Sequence, residues 1–140
     1  MSITTQPVNG ADVCQGNTPS AMSVVASNGS GSYSYQWYEC DDLLGTNQTA
    51  INGETNSSFT PPFNSPGTFY YLVEVTDQDP GCGAEFSIVV SQKVDENITT
   101  DAGPDQTICG NELASLSGSI SGGASTGSWS TNGTGVFDNP

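Results

Sequence analysis

The sequence has no histidine, no arginine and one lysine, Lys93, against 15 aspartates and glutamates, so the formal net charge is −14 over 140 residues. With a single cation there is no positive footprint to hold phosphates, which argues against nucleic acid as a partner. An anionic membrane surface repels the chain for the same reason. The lack of histidine removes the commonest general base and the commonest transition-metal ligand. Serine and threonine are plentiful, but only Lys93 is there to activate a nucleophile. Carboxylate pairs at the roughly 5–10 Å spacing of glycosidases arise by chance among so many acids and are not diagnostic. The chain therefore reads as a non-enzyme. No apolar run approaches the roughly 18–20 residues of a spanning helix, so no membrane insertion is expected. No basic, apolar leader opens the sequence, and any export signal is expected to lie outside it.

Apolar residues are also scarce, at 34%, and charged residues make up only 11%. Glycine, serine, threonine and asparagine fill the gap. A disordered acidic chain carries more charge and fewer aromatics. Here two Trp, five Tyr and five Phe gather in strand-like runs. No window of a dozen residues keeps a 3.6-residue period, and Gly or Pro interrupts nearly every stretch. Strand signals recur instead: Ile3 to Val8, Ala21 to Ala26, Tyr33 to Glu39, Phe59-Thr60, Phe69 to Thr76 and Phe86 to Val90. In the strongest of them Phe69, Tyr71, Val73 and Val75 share one face, and Tyr70, Leu72 and Glu74 the other. Short strands separated by turn signals predict an all-β sandwich over residues 1–94, with Trp37 buried against Tyr71 and the Met22–Ala26 strand.

A second unit is predicted over 101–140, after a linker at 95–100. Cys14 precedes Trp37 by 23 residues and Cys109 precedes Trp129 by 20, each across an apolar strand and a Gly/Ser turn. That weak self-similarity at one domain length marks a tandem array. The second stretch is expected to hold only the opening strands of a sandwich. Half a sandwich cannot cover its own apolar face, here Leu113, Leu116, Ile120, Trp129, Val136 and Phe137. The cover is expected from more chain or from a neighbouring copy.

The runs VCQG, YQWY, INGETNSSFTPP, GTFYYLVEVTD and GCG resemble the immunoglobulin-like repeats of large Bacteroidota surface proteins. The runs DAGPDQTICG, LSGSISGG, GSWST and GTGVF resemble the neighbouring PKD-like repeats of gliding-motility-type adhesins. The resemblance implies export by the type IX route, display at the cell surface, and a structural role in adhesion or in spacing a distal domain. It implies neighbouring repeats or copies of the chain as partners, with surface glycans as possible ligands. A carbohydrate- or calcium-binding accessory module of a larger secreted enzyme is the other function compatible with the sequence.

Four cysteines lie far apart with no CxxC or CxxH pair, which argues against zinc and favours disulfides in an exported chain. The resemblance implies a Cys14–Cys82 bond. Simple sandwich topology places Cys14 near Cys40 instead, and both pairings stay open. Cys109 belongs to the second unit. Asp95, Glu96, Asp101 and Asp105 bracket the junction of the two units and are the candidate calcium ligands, since calcium takes six to eight oxygens. The bland reading of these acids is a solvated face. Tyr38 and Tyr70 point away from the Trp37 and Tyr71 side of their strands and are the candidate stacking platform for a sugar ring. Their bland reading is cross-strand pairing that stabilises the sheet.

Overall fold

A computed structural model of the chain describes residues 1–79, 81, 83–110, 112–134 and 136–137. The strands, in chain order, are β1 (Ser2–Thr5), β2 (Val13–Cys14), β3 (Met22–Ser23), β4 (Val25–Ser27), β5 (Tyr33–Cys40) and β6 (Thr49–Ala50). They continue as β7 (Ser58–Phe59), β8 (Gly67–Asp77), β9 (Ala84–Phe86), β10 (Val90–Asp95), β11 (Thr99–Asp101) and β12 (Ser119–Ser121). Among the described residues there is no helix, and the fold is the all-β, sandwich-like one that the sequence predicts. Two units separate, Met1–Glu96 and Asn97–Pro140.

In the first unit the larger sheet has the order β2-β10-β8-β5-β6, with β9 also on β8. Its centre is the antiparallel β5–β8 pair, in which Trp37 faces Val73 and Tyr35 faces Val75. The smaller layer is built from β1 on β4 and β3 on β7. Val24, between β3 and β4, keeps the line intact by donating its N–H to Ser57 O at 2.9 Å.

The period-2 pattern of β8 sends Tyr71, Val73 and Val75 inward, where they join Met22, Val24, Trp37, Phe59 and Val90 in one buried cluster. Trp37 is fully buried and its ring lies 5.3 Å from that of Phe59. Its indole N–H donates to Asn56 O at 2.9 Å, so the one polar atom of the side chain is satisfied inside the core.

The segment expected to close the sandwich as one strand is two strands. Ser87 separates β9 from β10 because its hydroxyl takes a ladder position and accepts the N–H of Val73 at 3.0 Å. β10 then runs to Asp95 and β11 starts at Thr99, so residues 96–98, where the two units meet in the sequence, are strand-free.

The N-terminal segment belongs to both layers. β1 pairs with β4 in the smaller layer, and the chain then crosses at Pro7, which is fully buried and has no N–H to place in a ladder. From Gln6 to Gln15 it runs parallel to residues 88–95. The backbone register is Val13 beside Val94 and Cys14 beside Asp95. Side chains extend the pairing: Gln6 Oε1 accepts the N–H of Ile88, and Asn9 Oδ1 accepts that of Ser91.

In the second unit β11 and β12 pair antiparallel, with Thr100 opposite Ile120. The Trp129 ring packs on the backbone of Gly118, where a Cβ would come within 2.6 Å of it. Of the apolar set predicted to want a shared core, Ile120 is half-buried and Leu113, Leu116, Trp129, Val136 and Phe137 are exposed.

Candidate functional site

The outer face of the larger sheet carries the predicted tyrosines. On β5 and β8 the residues that alternate with the core set are Tyr38, Cys40, Tyr70, Leu72 and Glu74. Leu72 and Cys40 are nevertheless buried, because the β5–β6 loop folds back over this face. At Gly45, with φ 73°, an added Cβ would touch Val89 at 3.2 Å and Leu72 at 3.4 Å. The left-handed backbone there favours glycine. Asp42 holds the loop by accepting the N–H groups of Leu44 and Thr46 through Oδ1. Those bonds to the charged form keep its carboxyl below the usual carboxylate range.

The roof leaves one aromatic group open at its side. Tyr38 donates its hydroxyl proton to Glu74 Oε2 at 2.9 Å. Its ring lies 6.2 Å from that of Phe86 on β9, which is 48% exposed. The carboxylate acceptor pushes the Tyr38 phenol above its ordinary pKa, with burial and the Glu74 charge acting in the same direction. Tyr70 sits further along the face, opposite Cys40 on one side and Ser91 on the other. The aromatic neighbour of Tyr38 is thus Phe86. The alternation of Ala84 and Phe86 about Glu85 carried that signal, because Phe86 stands opposite Glu74. A tyrosine, a phenylalanine and a carboxylate on an open face can offer a flat apolar contact with one acceptor beside it.

The cysteines do not follow the pairing read from topology. Among the described residues none is in a disulfide: Cys14 and Cys109 are exposed thiols and Cys40 is a buried one. The register gives the reason. Cys40 faces Tyr70, Tyr70 faces Ser91, and Cys14 faces Asp95. Three strand spacings of about 4.8 Å and a four-residue offset separate Cys14 from Cys40. A disulfide needs Cα atoms within about 7 Å. The Cys14–Cys40 alternative is corrected on that ground, while Cys82, the partner implied by the resemblance, lies outside the described residues. Burial, and then the charges of Asp42, Asp41 and Glu39, push the Cys40 thiol up and keep it protonated at neutral pH.

Two of the four acidic candidates, Asp95 and Asp101, are engaged, each with a different partner. Asp95 accepts from Lys93 Nζ at 2.7 Å, and Lys93 also reaches Asp12 at 3.3 Å. Asp101 Oδ1 accepts the N–H of Gly103 at 2.8 Å. Glu96 ends the first unit, and Asp105 is an exposed residue of the second. Among the described residues no three acids, cysteines or histidines converge as a metal site. Asp77 and Asp79, the other acidic loop, form a turn. The buried Asp77 carboxylate accepts from the Ser30 hydroxyl, from Ser30 N–H at 3.0 Å and from Asp79 N–H at 3.0 Å. These bonds, the Ser30 hydroxyl first, hold its carboxyl below the usual range.

The second unit has an open cleft of about 530 Å³ between the β11–β12 ribbon and Trp129, lined by Ile98, Thr100, Ile120 and Gly127. It was not foreseen in the sequence, where Trp129 and Ile120 read as core.

Residues 4–96 match the family described as a domain of unknown function (DUF8696), and since the match spans more than half of the sequence the chain belongs to that family. No curated protein and no solved structure matches it.

Proposed function

We propose that the chain is a non-catalytic structural segment of a secreted or cell-surface adhesin or filament, with a spacing or adhesive role. The observation that carries this reading is the serial arrangement. The last strand of one β unit is followed after residues 96–98 by the first strand of the next, as in an array of modules. The sheet order β2-β10-β8-β5-β6, set against β1-β4 and β3-β7, supports an immunoglobulin-like first unit. A polar surface that carries one cation suits an exposed position beside other acidic modules, where like charge keeps neighbours apart. In this reading the partners are neighbouring repeats or copies of the chain. The test is labelling of intact producing cells and their medium with antibodies to residues 1–96. Signal on intact cells or in the medium supports the proposal. Signal that appears only after lysis overturns it.

The Tyr38–Phe86 pair beside Glu74 favours a second reading, a glycan-binding accessory module. A sugar ring presents an apolar C–H face to an aromatic ring. A glycan array probed with the full chain and with Tyr38→Ala separates the two. Binding that the substitution abolishes favours the module, and no binding removes it.

A further inference from the structure

After β1 the chain runs through residues 6–15, it leaves the first unit on β10, and these two segments lie side by side and parallel. We infer that this seam is a mechanical clamp, which lets the unit carry tension between its ends without opening. The inference rests on the spacer reading only for the source of the tension.

Tension drags the N-terminal segment towards its own start and drags β10 towards its own end. In parallel neighbours those two pulls oppose each other along the strand axis. Every bond between them is then loaded together, in shear. In an antiparallel pair the same pulls act at one end and open the bonds one after another. Parallel bonds are evenly spaced, so no single rung takes the first load alone.

The details of the seam suit that role. Around Pro7, which has no N–H for a ladder, the side-chain oxygens of Gln6 and Asn9 stand in for backbone carbonyls and accept the N–H groups of Ile88 and Ser91. Gly10 N–H donates to Ser91 O at 2.9 Å. Gln92, fully buried, lies across the seam and donates from Nε2 to Ala11 O at 2.8 Å. Its Oε1 lies 1.8 Å from where a Cβ on residue 10 would be, so the side chain can take this place across the seam only beside a glycine. At the far end Gln15 N–H reaches Asp95 O at 2.8 Å, and Gln15 Nε2 ties the segment to Asn64 O at 2.6 Å. The short β1–β4 pairing lies upstream of the seam and takes the load first.

The experiment holds the full chain by its two ends under constant force. Opening of the first unit, 96 residues, lengthens the tether by about 300 Å, whereas residues 97–140 release at most about 150 Å. The double variant Gln6→Ala, Asn9→Ala removes two seam acceptors near the surface. Its opening rate at a fixed load is expected to rise about 10- to 50-fold. Gln78→Ala removes a comparable bond, to Ser34 Oγ, away from the seam and is expected to open at the wild-type rate. A seam variant that opens like wild type, or a control that accelerates as much, overturns the clamp. A second geometry covers the case in which the double variant does not fold. With one handle on the N-terminus and the other on the exposed Ile88, the wild-type seam is pulled from one end. Its lifetime is expected to shorten more than tenfold at the same load, and an equal lifetime refutes the inference. Equal lifetimes would leave the surface proposal standing, and failed surface labelling would leave these rates unchanged.

Discussion

Trp37→Ala tests the packing of the first unit most directly. The side chain is fully buried among Met22, Val24, Phe59, Tyr71 and Val73, and its indole N–H is bonded to Asn56 O. A tryptophan hides about 150–250 Å² on folding. At about 25 cal/mol per Å² that is about 4–6 kcal/mol of transfer free energy. Truncation leaves a cavity that neighbouring strands cannot close, and measured large-to-small changes of this kind cost about 3–5 kcal/mol. A unit of 96 residues has only about 5–14 kcal/mol in total. The variant is expected to melt at least about 12 °C below wild type, taking about 4 °C per kcal/mol as the lower figure for a domain of this size. The assay is near-UV circular dichroism against temperature, repeated in urea. Trp37→Phe keeps most of the apolar contact and is expected to fall in between. A midpoint for Trp37→Ala within about 4 °C of wild type, worth about 1 kcal/mol, would refute the assignment of the core face.

Gly10→Ala places a methyl on Gln92 Oε1 and is expected to cost about 1–3 kcal/mol in urea unfolding. Adding Gln92→Ala should recover the part due to the clash, and no recovery would disprove it. In native protein Cys14 and Cys109 should react with iodoacetamide well before Cys40, which is buried and held protonated; equal rates by mass mapping would contradict the roof over the outer face. Asp77 has a depressed folded-state pKa, so its contribution is full above the unfolded value of about 3.9 and is lost as pH falls through the folded value. Asp77→Asn should therefore melt below wild type at neutral pH and converge with it in acid, and parallel curves down to low pH would refute this.

How much of this was legible in the sequence depended on whether the backbone did its own bonding. β8 and β5 were readable because strict alternation put Tyr71, Val73, Val75 and Trp37 on one side. The same alternation placed Tyr38 and Tyr70 on the other face. It could not show that the β5–β6 loop returns to cover Leu72 and leaves Tyr38 with Phe86. The break between β9 and β10 was hidden because Ser87, a side chain, occupies a ladder position within an otherwise apolar run. The parallel seam was hidden for a related reason. Gln6 and Asn9 stand in for backbone acceptors, and Pro7 and Gly10 interrupt any period. The error over Cys14 and Cys40 followed from this. Without the seam, sandwich topology puts Cys14 near Cys40 at the end of the third predicted strand, whereas the seam holds it at the far edge next to Asp95.

Lys93 sits in β10 between β2 and β8, its ammonium shared by Asp12 and Asp95. A protease that reads basic residues therefore has one bond to cut in the whole sequence, and that bond lies inside a strand paired on both sides. An extended, unpaired segment has to be presented before such an enzyme can act. When opening and closing are fast beside cleavage, the cutting rate follows the population of the opened form. Tryptic digestion of this protein is thus a clock on a single event, the departure of β10 from its sheet. Its single cut would divide the chain into residues 1–93 and 94–140.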